Sequence, residues 1–336
     1  VLNTPFTIIR TLNQSDFKQS FKFDPKKIEN ELKPIKKYES KVIDAPNIII
    51  FILESMSREY WGSMNSDINN YLSFTPFLDS LSSHSLIFPN SFATSRKSIH
   101  GMPSVLAGIP SFEVAYTSSR YSKQKIESIV SIANKMEYET SFFHGAANGS
   151  MGLMGFSNTL GFDNYFGRDE YNNDSDFDGY WGIWDEPFLQ FAKSKLDEKK
   201  QPFLGTIFTL TSHEPYIIPS KYENIFEKGE IDMHRCAKYT DYSLRKFFDK
   251  AKKSDWFKNT IFIFTADHTN QSFYPNYKKI INRFATPIMI YKPNSNLKGI
   301  DYRLASHMDI YPSFAELIGY DKPFRSWGKS LFSEYS

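Results

Sequence analysis

The chain has 336 residues, of which 40% are hydrophobic, 17% aromatic and 23% charged. That balance supports a sizeable buried core and excludes a disordered or fibrous chain. A net charge of +2 argues neither for nucleic acid as a partner nor for strong electrostatic capture by a membrane, and a single cysteine, Cys236, excludes an internal disulfide while leaving the redox compartment open; no nucleic-acid partner is expected.

No apolar run approaches the ~18–20 residues that span a bilayer. The chain opens at Val1 without a signal-peptide pattern, so it is expected to be a fragment or mature form that lacks an upstream membrane anchor. Residues 1–43 are polar and lysine-rich and read as a linker or N-terminal extension, with Asp24 as N-cap and Pro25 as first residue of one short helix. Residues 44–293 carry the strand and helix pattern of an α/β catalytic core, and 294–336 a smaller C-terminal subdomain that closes the same domain.

The first core strand is Asn47–Leu53, NIIIFIL, an unbroken β-branched run of the kind buried on both faces of a parallel sheet. It stops at Glu54. A carboxylate at the carboxyl end of a central strand sits where open α/β sheets bind ligands; the competing assignment is a first-turn acid of the next helix. Thr75-Pro76 opens an amphipathic helix, a strand is expected over 85–92, and a polar turn over 93–98 feeds a helix marked by Ile99, Met102, Val105 and Leu106, with Pro103 tolerated in its first turn. Ser98 stands at that helix N-terminus beside Arg96 and Lys97, where the helix dipole and two cations favour an oxyanion or phosphate. The plainer assignment is an N-cap serine.

A helix over 125–135 leads to a strand over 139–143 that ends in His144-Gly145, and the glycine-, asparagine- and methionine-bearing stretch 146–156 reads as a ligand-facing loop. After an acidic, exposed stretch at 172–178 come a helix over 186–199 and a strand over 203–210, which runs into Thr211-Ser212-His213-Glu214-Pro215-Tyr216. The helix over 233–252 is the longest and packs the core; Cys236 on it reads as a small packed residue rather than a nucleophile. Thr260–Ala266 is a second fully apolar strand ending in Asp267-His268, residues 286–291 form the last core strand, and a helix follows Ser306-His307 up to Gly319. The fold class is therefore α/β, a mostly parallel central sheet flanked by helices. Two of its strands end in hard or borderline metal ligands, Glu54 on one and Asp267 with His268 on the other; carboxylate oxygens with an imidazole suit Mn²⁺, Zn²⁺ or Mg²⁺.

The order strand-Glu, RKSIHG, strand-His-Gly, TSHEPY, ADH and a late HMDIYPSFAELIG resembles the sulfatase-like branch of the alkaline phosphatase superfamily. Within it, residues 44–320 are similar to the extracytoplasmic catalytic domain of lipoteichoic acid synthases and phosphoglycerol transferases. The resemblance implies one divalent ion, Mn²⁺ or Zn²⁺ before Mg²⁺, held by Glu54, Ser98, Asp267 and His268. Ser98 stands in KSIHG where the family commonly has a threonine nucleophile, with Thr94 and Ser95 as the nearby alternatives. His144 and His213 fall on the family's phosphate-binding or proton-transfer histidines, and Arg96 and Lys97 join them at the substrate. The implied reaction is phosphotransfer from a phospholipid head group or other phosphoester, through a covalent Ser98 intermediate, to a glycan, lipid or water, on the extracytoplasmic face of the cell membrane.

Two departures narrow this. Seven and nine residues after the first histidine, lipoteichoic acid synthases carry a Trp and an Arg that grip glycerol phosphate; this chain carries Met151 and Leu153, which argues against a poly-glycerophosphate product. Sulfatases that use formylglycine need C/S-x-P-x-R, and Ser98 is followed by Ile-His-Gly-Met-Pro instead. A sulfatase-like or phosphodiesterase hydrolase with water as acceptor is the alternative enzyme, and an inactive lipid- or glycan-binding domain the alternative outside catalysis.

Overall fold

A computed structural model of the chain describes residues 24–39 and 44–333, together with Pro5 and Val42; much of the extension predicted over 1–43, and residues 334–336, lie outside the described residues. All seven side chains of Asn47–Leu53 are buried. Because side chains alternate along a strand, Ile49, Phe51 and Leu53 enter one core while Ile48, Ile50 and Ile52 enter another. The first core is closed by the helices Pro76–Ser82, Asp185–Asp197 and Asp232–Ala251 through Leu78, Leu189 and Phe247. The second is closed by Ser98–Ala107, Ile129–Lys135, Leu153–Leu160 and His307–Leu317 through Val105, Ile132, Phe156 and Phe314. A sheet apolar on both faces needs two such covers, hence three layers.

The strands in chain order are β1 (Ile35–Lys36), β2 (Asn47–Leu53), β3 (Ser85–Ile87), β4 (Ser91–Phe92), β5 (Glu139–His144), β6 (Asn164–Phe166), β7 (Phe203–Phe208), β8 (Thr260–Ala266), β9 (Ile288–Tyr291), β10 (Gly299–Ile300), β11 (Ala305–Ser306) and β12 (Phe324–Arg325). Eight of them form one sheet in the order β10-β3-β9-β8-β2-β7-β5-β6. Only β9 runs against its neighbours; the other pairs are parallel. The run expected over 85–92 breaks at Pro89-Asn90, since proline has no N–H for the ladder. β3 stays in the main sheet while β4 leaves it to pair with β11. The helix expected from 125 starts only at Ile129, where Ser128 and Ser131 exchange side-chain to backbone bonds as a capping box.

The C-terminal segment is built into this core at several points. β10 extends the sheet along β3, β11 joins β4, β12 pairs with β1, and Ile310, Tyr311 and Phe314 of the His307–Leu317 helix pack in the second core with Met102 and Val105. Among the described residues no helix is long and apolar enough to cross a membrane.

Register places the site. Leu53 of β2 lies opposite Ala266 of β8, so Glu54 and Asp267 leave adjacent strands side by side. Ile52 lies opposite Phe208 of β7, and His144 of β5 opposite the same Phe208. Every strand end singled out in the sequence thus opens on one edge, at the carboxyl ends of neighbouring parallel strands.

Candidate metal centre and active-site cleft

Glu54, Asp267 and His268 bring one ligand atom each within 4.8 Å of one another, and all three are buried. Their backbone explains the approach. Directly after Glu54 the chain turns through Ser55, whose φ of 57° is left-handed and uncommon for a residue with a Cβ. That turn aims the Ser55 N–H at Asp267 Oδ1 (2.9 Å) and its hydroxyl at Glu54 Oε1 (2.7 Å). The Glu54 N–H donates to Thr209 Oγ1 (2.9 Å), and the Ser212 hydroxyl donates to the Glu54 carbonyl (2.6 Å), tying β2 to the loop after β7.

The donor set fits a cation. His268 donates Nδ1–H to the Thr269 carbonyl (2.9 Å), which leaves the lone pair on Nε2. That lone pair lies 3.2 Å from Asp267 Oδ2 and 3.6 Å from Glu54 Oε1, so three acceptors converge. Asp267 Oδ2 is buried with no hydrogen-bond partner. Burial, followed by the Asp267 charge, holds the Glu54 carboxyl well above the usual carboxylate range. Two buried acids and an imidazole lone pair facing one another, with Asp267 Oδ2 left without a donor, form a set that a divalent ion would balance.

Ser98 comes to the same point from the opposite layer. It is the first residue of its helix, with Lys97 at the cap position, so its side chain does not cap the helix. Its Oγ lies 3.2 Å from His268 Nε2 and 3.4 Å from Glu54 Oε2. Thr94 and Ser95 are engaged elsewhere: Thr94 Oγ1 meets Ser104 Oγ (2.6 Å) and Ser95 Oγ bonds the Lys97 backbone (3.2 Å). Gly101, one turn beyond Ser98, is what lets the helix settle here. A Cβ at that position would stand 2.3 Å from the Asp267 carbonyl oxygen, so the helix rests directly on the backbone of a metal-type residue.

An open cleft of about 540 Å³ lies over the centre, lined among others by Arg96, Lys97, Ser98, Met151, His213 and His268. Arg96 forms no ion pair among the described residues and its Nε is buried without a partner; burial and the nearby Arg283 lower its pKa. His213 donates Nδ1–H to the Glu214 carbonyl (3.0 Å), leaving Nε2 as the acceptor, and packs 4.3 Å from the Trp181 ring. Asp185, buried at the start of its helix, accepts the Leu210 and Thr211 N–H groups and so fixes the loop that carries His213. Met151 lines the cleft, whereas Leu153 turns into the core.

His144 does not line this cleft. It is fully buried, its Nδ1 lies 3.2 Å from the Phe208 carbonyl, its ring stacks on Phe208 at 4.6 Å, and burial lowers its pKa to about 4. Its Nε2 is buried without a hydrogen-bond partner, and the imidazole feels the Asp267 charge. His307, passed over in the sequence, is equally buried, with Nε2 3.3 Å from Thr286 Oγ1 and a pKa lowered to about 4. Its sequence signals were its place at a helix start behind Ser306 and at the head of the HMDIYPSFAELIG segment.

Comparison with known proteins places the chain among relatives. Lipoteichoic acid synthase 1 of Bacillus subtilis (strain 168) is 27% identical over 171 residues, 46% of this chain and 27% of the relative. Phosphoglycerol transferase I of Citrobacter koseri is 27% identical over 248 residues, 68% of this chain and 32% of the relative. The matched stretches are thus about a third or less of each relative's length. The crystal structure of a protein in the alkaline phosphatase superfamily from Vibrio parahaemolyticus superposes with a TM-score of 0.80 at 27% identity, covering 100% of this chain and 80% of that one. The family model described as Sulfatase matches residues 46–320. Since that match runs from the start of β2 past the His307–Leu317 helix and takes in each strand end that builds the centre, the chain belongs to the sulfatase family.

Proposed function

We propose that the chain is a metal-dependent phosphotransferase that takes a phosphoryl-linked group from a phosphodiester, such as a phospholipid head group, onto Ser98 and passes it to an acceptor hydroxyl. The observation that supports this is the Ser98 hydroxyl at a helix N-terminus within 3.2–3.4 Å of His268 and Glu54, beside the orphaned Asp267 oxygen. Glu54, Asp267, His268 and Ser98 would hold the ion, and three oxygens with one nitrogen favour Mn²⁺ or Zn²⁺, with Mg²⁺ admissible. When bound, such an ion neutralises charge on the phosphoryl oxygens and lowers the proton affinity of a neighbouring hydroxyl.

The chain's own groups then have defined tasks. Arg96 and Lys97 bind the non-bridging phosphate oxygens, and the first turn of the Ser98–Ala107 helix adds its dipole. Ser98 Oγ, its proton lost to solvent before the attack, forms a bond to phosphorus as the bond to the leaving alcohol breaks, and it departs again as the alkoxide when the acceptor attacks. His213, as imidazolium, passes a proton from Nε2 to that alcohol oxygen. The neutral Nε2 next takes the proton of the acceptor hydroxyl, which attacks phosphorus and frees Ser98. A pocket of about 380 Å³ shares Thr117 and Gly152 with the cleft and offers Ser122, Lys123, Asn158 and Thr159, room and polarity for a hydroxyl-bearing glycan or lipid acceptor. On this reading the domain works on the extracytoplasmic face of the cell membrane, where such donors and acceptors meet.

The test is turnover of bis(p-nitrophenyl) phosphate with added Mn²⁺. Ser98→Ala is expected to abolish it with the fold intact, and mass spectrometry of the wild type should find the adduct on Ser98. Full activity of Ser98→Ala overturns the assignment. Turnover of p-nitrophenyl sulfate instead would favour a sulfate hydrolase.

A further inference from the structure

A net charge of +2 conceals a local feature beside the cleft. Residues 275–284, PNYKKIINRF, contain three cations and no acid. Lys278, Lys279 and Arg283 are exposed, and between them stand Ile280 at 82% and Ile281 at 63% exposure. Among the described residues no large hydrophobic side chain is more exposed than Ile280. Adjacent isoleucines facing water inside a basic rim are the composition of a surface that lies on lipid, with the apolar side chains reaching the acyl boundary and the cations meeting anionic head groups.

The segment is held firmly in this pose. Tyr277 is buried at its base and donates its hydroxyl to Asn65 Oδ1 (2.5 Å) while accepting from Arg58 Nε (3.0 Å). Farther on, the Thr269 hydroxyl donates to the Arg283 carbonyl, and Ala93 N–H donates to the Phe284 carbonyl (2.7 Å). These two anchors sit next to His268 on one side and at the start of the turn that carries Arg96 on the other. Arg283 is near enough to Arg96 for their charges to oppose each other. The isoleucine pair therefore lies within three residues of anchors that adjoin His268 and the turn carrying Arg96, both at the cleft.

We propose that residues 278–284 form a membrane-contact lip that seats the cleft on an anionic phospholipid surface, with Ile280 and Ile281 inserted and Lys278, Lys279 and Arg283 on the head groups. The charge complementarity commits the occupant: an uncharged bilayer would leave the three cations without counterions, and burial against a second copy of this chain would bring the same +3 face against itself. The proposal rests on the phospholipid-donor reading for its purpose but not for its measurement.

The experiment is co-sedimentation of the chain with vesicles of phosphatidylcholine containing 30 mol% phosphatidylglycerol, and with pure phosphatidylcholine, alongside turnover of bis(p-nitrophenyl) phosphate in free solution. Binding to the anionic vesicles should exceed binding to the neutral ones by roughly tenfold or more and weaken at high salt. Ile280→Asp/Ile281→Asp should lower the bound fraction roughly tenfold or more, while soluble turnover stays at the wild-type level. Equal binding by the double variant, or equal binding to both vesicle types, overturns the proposal. So does a wild-type dimer in sedimentation velocity that the double variant abolishes without any change in vesicle binding. Lipid binding without soluble turnover leaves the lip standing and removes the transferase reading; soluble turnover without lipid binding does the reverse.

Discussion

Gly101→Ala tests whether catalysis depends on how closely one helix rests on one carbonyl. The added methyl carbon would lie 2.3 Å from the Asp267 oxygen and 3.0 Å from its carbonyl carbon. Ordinary contact needs about 3.5 Å, so the helix must retreat by about 1 Å. Neither partner can yield locally: one is backbone at the end of the fully buried β8, the other a helix packed through Met102, Val105 and Leu106. The retreat carries Ser98 away from His268 and Glu54. A misplacement of about 1 Å at a reacting group costs on the order of 100-fold in rate. Stability moves less, because overpacking costs ~1–3 kcal/mol while replacing a mid-helix glycine by alanine returns up to ~1 kcal/mol. The expected result is a Tm within several degrees of wild type with kcat for bis(p-nitrophenyl) phosphate reduced about 100-fold. Gly149→Ala, where a Cβ meets nothing within 4 Å, is the matched control and should change neither quantity. Wild-type turnover by Gly101→Ala, with Tm unchanged, would refute the idea that this contact sets the Ser98 position.

Two further predictions concern buried acids. Glu54→Gln removes the repulsion with Asp267, so in chelator-treated protein its Tm should exceed that of wild type. With Mn²⁺ at about 100 times its Kd the wild type should gain ~2.7 kcal/mol and overtake the variant; the same Mn²⁺ shift in both proteins would remove Glu54 from the ligand set. Glu59 accepts the Phe273 and Tyr274 N–H groups (2.8 and 2.6 Å), yet burial pushes its pKa from 4.5 up to about 7. A raised pKa means that its contribution is complete below about pH 4.5 and is lost as pH rises through 7, at most ~3 kcal/mol. Glu59→Gln should therefore flatten the fall in urea-unfolding stability between pH 5 and pH 8, and an undiminished fall would place that titration elsewhere.

What was legible in the sequence follows from how far each cause lies along the chain. A strand buried on both faces announces itself in seven consecutive residues, so β2 and β8 were readable together with the ligands just past their ends. Parallel registration then does the rest, since adjacent ends must emerge together. The role of Gly101 was not legible, because its reason is a carbonyl on a distant strand that nothing local encodes. Asp185 and Trp181 were equally silent: one positions the His213 loop through backbone bonds, the other meets His213 only after the chain has returned across the sheet. His144 was legible as a strand-end residue but its burial was not, since the side chain of a last strand residue still belongs to the pleat and is covered by whatever packs on that face.

Buried acids in this molecule also show why a metal-type cluster can be told from a structural one. Asp241 receives the Phe77 and Leu78 N–H groups, and Asp185 receives two N–H groups and the Thr240 hydroxyl, so every oxygen of both carboxyls has a donor that folding itself supplies. Glu59 keeps one oxygen unpaired but belongs to no group of three metal-type donors among the described residues. At the Glu54 and Asp267 pair the donors cover only part of the charge, and the remaining oxygens face each other and an imidazole lone pair. A fold selected for stability alone would place an apolar pair there at little cost. On the proposed reading a cation completes the site, and the local destabilisation of the metal-free protein and the capacity for catalysis would then have the same physical origin.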